Sequence, residues 1–254
     1  MKRAVFIPLI VLLLASMACS AGSVLPFNGD DEEVRPTSPF EVTEEPATPT
    51  PEGDEVREAY DDFSVMNDVW GDTFTVTTQA QKNDESSQIH FEDGRMQFQF
   101  LANETYAYKF YNDPIGPDAV LEVLYQAGGA LQNGIALVCR VNEDRTAWYE
   151  FRVTSNSLYY IFRYDAARKA DSGKNPYILL DSGGVDIETL YPTRENVFRV
   201  TCDGSSLSMG TNGTEIAAVQ DGTLSEGDWV GIGAMSTDLL PVSVYFDYFS
   251  AERP

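Results

Sequence analysis

From Asp61 to the C-terminus, apolar and polar residues alternate with a period of two. The segments 95–101, 105–111, 119–125, 135–141, 147–153 and 158–164 read this way, and so do 197–202, 214–219, 229–234 and 242–249. A strand sends successive side chains to opposite faces, so this period predicts short strands with one face on a core. The runs are parted by Glu92-Asp93-Gly94, Asp203-Gly204 and Asn212-Gly213. These supply the positive-φ positions that tight hairpins need. Residues 198–219 read as strand, turn, short strand, turn, strand. No long window shows the 3.6-residue period of a buried helix, and 166–175 and 184–194 read as loops or short helices. The pattern predicts an all-β domain over 61–254, an antiparallel two-sheet sandwich.

The first sixty residues do not continue the pattern. Lys2 and Arg3 precede an uncharged run from Ala4 to Ala15, and Ser16-Met17-Ala18 then places small residues before Cys19. This reads as a signal peptide over 1–18, its apolar run being short for a membrane span. Leu14-Ala15-Ser16-Met17-Ala18-Cys19 resembles the lipobox of bacterial lipoproteins, with Ser16 where Leu is commonest. The resemblance implies that Cys19 is acylated and becomes the mature N-terminus; ordinary signal-peptidase cleavage at the same bond is the alternative. From Ser20 to Tyr60 there are 11 acidic residues, two basic ones and six prolines. Such a stretch buries too little apolar surface to offset the entropy of ordering it, so 19–60 reads as a disordered acidic Pro/Thr-rich tether. The expected location is outside the cell, held to the membrane through the N-terminal lipid alone.

Charge narrows the partners. The 254 residues carry a net charge of −23, and residues 61–254 hold 13 basic against 29 acidic side chains, a net −16. Nucleic acid is therefore excluded as a partner, since binding its phosphates needs a cationic surface. Export also gives the cysteines a meaning. If Leu137, Cys139 and Val141 point inward, Arg140 points out; if Phe198, Val200 and Cys202 point inward, Arg199 and Thr201 point out. Cys139 and Cys202 then share the core and are candidates for a disulfide. Two unpaired thiols acting as small hydrophobes are the other possibility.

Asp61-Asp62-Phe63-Ser64 opens the domain and Trp70 comes next. Then come Gly134-Ile-Ala-Leu-Val-Cys-Arg140, Ala147-Trp-Tyr-Glu-Phe-Arg152, Asn196-Val-Phe-Arg-Val-Thr-Cys202, Asn212-Gly213, Gly231-Ile-Gly233 and the closing Val244-Tyr-Phe-Asp-Tyr-Phe249. That order resembles the concanavalin A-like jelly roll, of the laminin G-like and 3-keto-disaccharide hydrolase-like type. The chain departs from the family at Met209-Gly-Thr-Asn-Gly213, where Tyr-Val-Asn-Gly is typical, and at Tyr248, where Asn is usual. The resemblance implies that the opening Asp-Phe and the closing strand lie near each other.

Catalytic patterns are sparse. Glucanases of this fold carry Glu-x-Asp-x-Glu on one strand, and no such run occurs. There is no Gly-x-Ser-x-Gly elbow, and His90, the single histidine, reads as a strand-end residue. Alternation puts Trp148, Glu150 and Arg152 on one face and Tyr149, Phe151 and Val153 on the other. The charged face is expected to meet solvent. An indole beside a carboxylate and a guanidinium is a candidate carbohydrate platform, which Arg140 and Arg163 could extend. The competing reading is that these are cross-strand aromatic–arginine pairs that stabilise the sheet without any ligand. Asp61, Asp62 and Asp247 are hard oxygen donors for Ca2+ if the domain's ends meet as the resemblance implies; no cofactor is required. The expectation is a monomeric, non-catalytic surface module that binds glycan or cell-wall polysaccharide. A structural or protein-interaction domain and a glycoside-active hydrolase are the alternatives.

Overall fold

The structure, a computed structural model, describes residues 59–65, 68–77, 86–129, 133–186, 188–191 and 194–254. The signal, Cys19 and the tether up to residue 58 lie outside the described residues. In chain order the strands are β1 (Ala59–Asp61), β2 (Phe74–Thr77), β3 (Ser87–Glu92), β4 (Arg95–Phe100), β5 (Thr105–Phe110), β6 (Ala119–Gly129), β7 (Gly134–Val141) and β8 (Ala147–Thr154). They continue with β9 (Leu158–Asp165), helix α1 (Ala166–Ser172), β10 (Tyr177–Gly184), β11 (Glu195–Asp203), β12 (Ser206–Thr211), β13 (Thr214–Gln220), β14 (Trp229–Met235) and β15 (Val242–Glu252).

These strands form two antiparallel sheets. One runs β13-β12-β11-β6-β15-β4-β3 with β1 added on β15; the other runs β10-β9-β8-β7-β14-β5-β2. The alternation explains the stacking. Met96, Phe98 and Phe100 of β4, with Val242, Val244 and Phe246 of β15, share one core with Leu137 of β7, Tyr149 and Phe151 of β8 and Ile232 of β14. The hairpins sit where the turn residues put them. Asp93 and Gly94 have φ of 53° and 71°, and Asn212 and Gly213 have 51° and 81°, the left-handed pairs that a two-residue turn demands.

The expected bridge is present. Cys139 of β7 and Cys202 of β11 are disulfide-bonded with their Cα atoms 6.8 Å apart, tying one sheet to the other. The two ends of the domain also meet, because Asp61 pairs with Phe249 in the β1–β15 ladder. Phe63 and Trp70 pack there, the Trp70 ring centroid 5.0 Å from that of Phe249. The outermost strands β2, β3 and β10 were not read from the sequence. All three lie at sheet edges, and β10 is irregular between Leu179 and Asp181. That irregularity breaks the period that would have revealed it.

Candidate functional site

The face of the seven-stranded sheet that turns away from the core carries Trp148, Glu150 and Arg152, as alternation requires. It does not present them to solvent. Trp148 and Glu150 are 0 % exposed and Arg152 is 5 % exposed. Neighbouring strands supply the cover. Register pairs Trp148 with Tyr164, Glu150 with Phe162 and Arg152 with Tyr160, and the Trp148 and Tyr164 rings stack at 3.8 Å. On the other side, Tyr108 and Phe110 of β5 reach Trp148 with ring centroids 5.5 and 5.8 Å away. Strands β5 and β8 are three places apart in the sheet, about 14 Å. The rings span that gap because the strands between carry Ala136, Gly231 and Gly233. A Cβ at Gly233 would lie 2.6 Å from Cδ1 of Tyr108, so the ring occupies the space the missing side chain leaves. The result is a second, smaller core on the outside of the sheet.

At its centre Glu150 is fully engaged. Its Oε1 accepts from Nε of Arg152 at 2.9 Å and from the same guanidinium's Nη2. Its Oε2 accepts from the Tyr108 hydroxyl at 2.8 Å and the Trp148 indole N–H at 3.2 Å. Tyr108 has one proton and gives it to Glu150, so in the 2.8 Å contact between Tyr108 and Tyr177 the Tyr177 hydroxyl donates. Burial pushes the Tyr108 and Tyr177 phenols well above their ordinary range, and the Glu150 charge pushes them further. Burial alone would pull the Arg152 guanidinium down, but Glu150 and the surrounding phenols outweigh it and hold the cation more firmly. The guanidinium carbon lies 4.7, 4.8 and 5.2 Å from the ring centroids of Tyr106, Phe162 and Tyr177. Arg152 is thus a cation boxed by three rings and neutralised from beneath.

What the face offers outward is the set of half-buried rings Tyr106, Tyr160, Phe162 and Tyr177. Tyr160 and Phe162 lie along β9 with centroids 5.6 Å apart and planes 11° from parallel. The sequence reading missed these rings as site residues. Their signal was the alternation of 158–164 itself, which sets Tyr160 and Phe162 on one face; which face needed the register with β8.

Comparison with known proteins returns the fold and nothing narrower. No family model matches the chain, and no curated protein matches it. Solved structures do. A prokaryotic β-1,3-1,4-glucanase (lichenase) from a mouse hindgut metagenome superposes with a TM-score of 0.55 at 9 % identity, covering 77 % of this chain and 99 % of the other. The β-glucanase of Bacillus licheniformis gives 0.54 at 8 % identity over 77 % and 98 %. The catalytic domain of an endo-1,3-β-glucanase (laminarinase) from Thermotoga petrophila gives 0.52 at 10 % over 77 % and 96 %. The domain is a concanavalin A-like jelly roll.

In this jelly roll the remaining expected site residues fall elsewhere. Arg140 does not extend the Trp148 face. Strand β7 holds an extra residue against β14, pairing shifting from Trp229–Val141 to Gly231–Val138, and Arg140 there has φ 52°. The bulge turns Arg140 to the side of Tyr149, where it is 2 % exposed. It donates to the carbonyls of Pro117 and Leu224 and to Asp118. Arg163 pairs with Tyr149 in the ladder, so it also takes the opposite face, where it binds Asp221 and Thr223 at 2.6 Å each. Asp221 further accepts from the Tyr149 hydroxyl. Burial alone would raise the Asp221 carboxyl, but the bonds from Tyr149 and Thr223 and the Arg163 charge hold it below the usual range.

The expected calcium ligands do not gather. Asp61 accepts the Phe63 amide at 2.8 Å and the Trp70 indole at 2.7 Å. Asp62 accepts the Ser64 amide at 3.0 Å, and Asp247 pairs with Arg95 at 2.7 Å. Among the described residues no three carboxylates, histidines or cysteines form a metal-holding group. His90 lies within β3 rather than at a strand end, exposed and 3.3 Å from Gln88. Two open hollows of about 650 and 580 Å³ are bordered by Asp118, Asp203 and Asp228 in the first and by Glu143, Glu226 and Asp228 in the second, where Trp229 of the outer aromatic layer also contributes.

Proposed function

We propose that this chain is an exported lipoprotein, acylated at Cys19 and held by its acidic tether, whose jelly roll binds glycan without cleaving it. The observation that carries the reading is the row Tyr160, Phe162, Tyr177 and Tyr106, half-buried rings of which the last three pack on the Arg152 guanidinium and Tyr160 stacks on Phe162. Sugars stack their C–H faces on such rings, and rings already locked by packing lose little entropy when a ligand arrives. The neighbours named for glucan cleavage supply an analogy of fold only. Against cleavage stands the state of Glu150. Glycoside hydrolysis needs an acid and a second carboxylate flanking the bond. Glu150 is the one carboxylate among the described strand positions of this face, and it is sealed with both oxygens occupied.

The test is a glycan array and then affinity electrophoresis, using wild type and Tyr160→Ala/Phe162→Ala. Loss of two stacking rings should weaken binding about tenfold to hundredfold while the fold persists. Binding unchanged in that variant would sink the platform, and reducing sugar released by wild type would replace it with an enzyme.

A further inference from the structure

The aromatic row ends at a basic turn. Strand β9 passes into α1 and returns to β10 through residues 165–176. Asp165 caps the helix by accepting the Ala167 amide, and Gly173 closes it at φ 65°. The segment is tied to the aromatic face at both ends. Ala166 packs on the cluster that holds Trp148, Tyr164 and Tyr177, and the Asp165 amide donates to the Pro176 carbonyl. Tyr177 is both the first residue of β10 and one wall of the box around Arg152.

The turn carries Arg168, Lys169 and Lys174. Lys169 and Lys174 are exposed and Arg168 is half-buried. Elsewhere in the domain five arginines are paired with carboxylates, Arg95 with Asp247, Arg140 with Asp118, Arg152 with Glu150, Arg163 with Asp221 and Arg199 with Glu122 and Glu252, whereas Arg145 and Arg194 form no ion pair among the described residues. Among the described residues none of the three turn cations forms an ion pair. Between Asp165 and Asn175 three cations stand against two carboxylates, and one of those, Asp165, caps the helix. The local sign is opposite to that of a domain at net −16.

Three cations without ion pairs at the end of an aromatic row, in a domain at net −16, suit a ligand that carries negative charge. We propose that Arg168, Lys169 and Lys174 form an anion-binding rim of the aromatic face, so that the glycan it takes carries acidic substituents such as carboxylates. This rests on the glycan-binding reading and adds the class of glycan. The rings hold the sugar faces, and the rim holds the negative group as flexible, solvated point charges do.

The experiment uses two matched pairs of probes: galactan with polygalacturonate, and hydroxyethyl cellulose with carboxymethyl cellulose. Binding is measured for wild type, the rim variant Arg168→Gln/Lys169→Gln/Lys174→Gln and the ring variant Tyr160→Ala/Phe162→Ala. The rim variant should bind the acidic member about tenfold more weakly than wild type does, with neutral binding unchanged. That difference should shrink as salt rises from about 50 to about 500 mM, because screening removes what the three charges add. The ring variant should lose both members of a pair. An unchanged affinity of the rim variant for the acidic probe, or an equal loss on the neutral one, overturns the rim while leaving the glycan-binding reading intact. Failure of wild type to bind any probe or array glycan overturns both.

Discussion

Replacing Glu150 by Gln removes one charge at the centre of the outer aromatic layer and almost no volume. The surroundings of the side chain fix the size of the effect. Arg152 is 5 % exposed and Glu150 is 0 % exposed, so water cannot take over from the lost carboxylate. The amide retains one oxygen where the carboxylate accepted from Arg152, Tyr108 and Trp148. Removing one partner of a buried pair costs about 3–5 kcal/mol, because the remaining charge is left uncompensated. Typical domains have about 5–15 kcal/mol in total, so the variant should be severely weakened. Equilibrium urea unfolding, monitored by tryptophan fluorescence, measures the loss. Adding Arg152→Met should recover much of it, since a long apolar chain fits the ring-walled box and the stranded cation is gone. If the single variant does not fold, recovery in the double variant carries the test. A single-variant loss below about 1 kcal/mol, or a double-variant loss equal to the sum of the singles, refutes the reasoning.

Other parts of the sandwich give two further expected outcomes. Breaking the Cys139–Cys202 bridge, by reduction or as Cys139→Ala/Cys202→Ala, frees a loop with a sequence separation of 63 and should cost about 4 kcal/mol in the chain-entropy model. Denaturant midpoints with and without reductant read this, and identical midpoints would show that the bridge does not constrain the unfolded chain. Stability should also fall in alkali. Burial raises the phenols of Tyr108, Tyr125 and Tyr177, and burial together with the bond to Asp221 pushes Tyr149 up to about 12. The unfolded chain gives up these protons first, so above about pH 10 it binds fewer protons than the native one and unfolding becomes easier as pH rises. Denaturation midpoints across about pH 9 to 11.5, read beside phenolate absorbance, test this. A flat profile with early phenolate signal would mean that these rings are open to water.

Much of the architecture was legible because alternation is a local property. Residues 95–101, 147–153 and 242–249 announce two-faced strands, and Asp93-Gly94 and Asn212-Gly213 announce the hairpins that join them. The same parity brought Cys139 and Cys202 into one core, where they are bonded. Parity placed Trp148, Glu150 and Arg152 together but could not say what lay above them. Arg140 escaped because a single extra residue in β7 reverses the face of everything beyond it. Arg163 escaped because its face depends on register with β8, which no one strand encodes.

What the chain encodes alone is therefore most of the strands and hairpins and, where no bulge intervenes, which residues share a side of each strand. The tertiary structure decided which sides are wet. Strand order set β5 three places from β8, glycines and an alanine in between let the rings lie down across the gap, and the trio Trp148, Glu150 and Arg152, expected at the surface, became the floor beneath one. Periodicity is settled within a few residues of backbone, whereas burial depends on side chains contributed from strands far away in sequence.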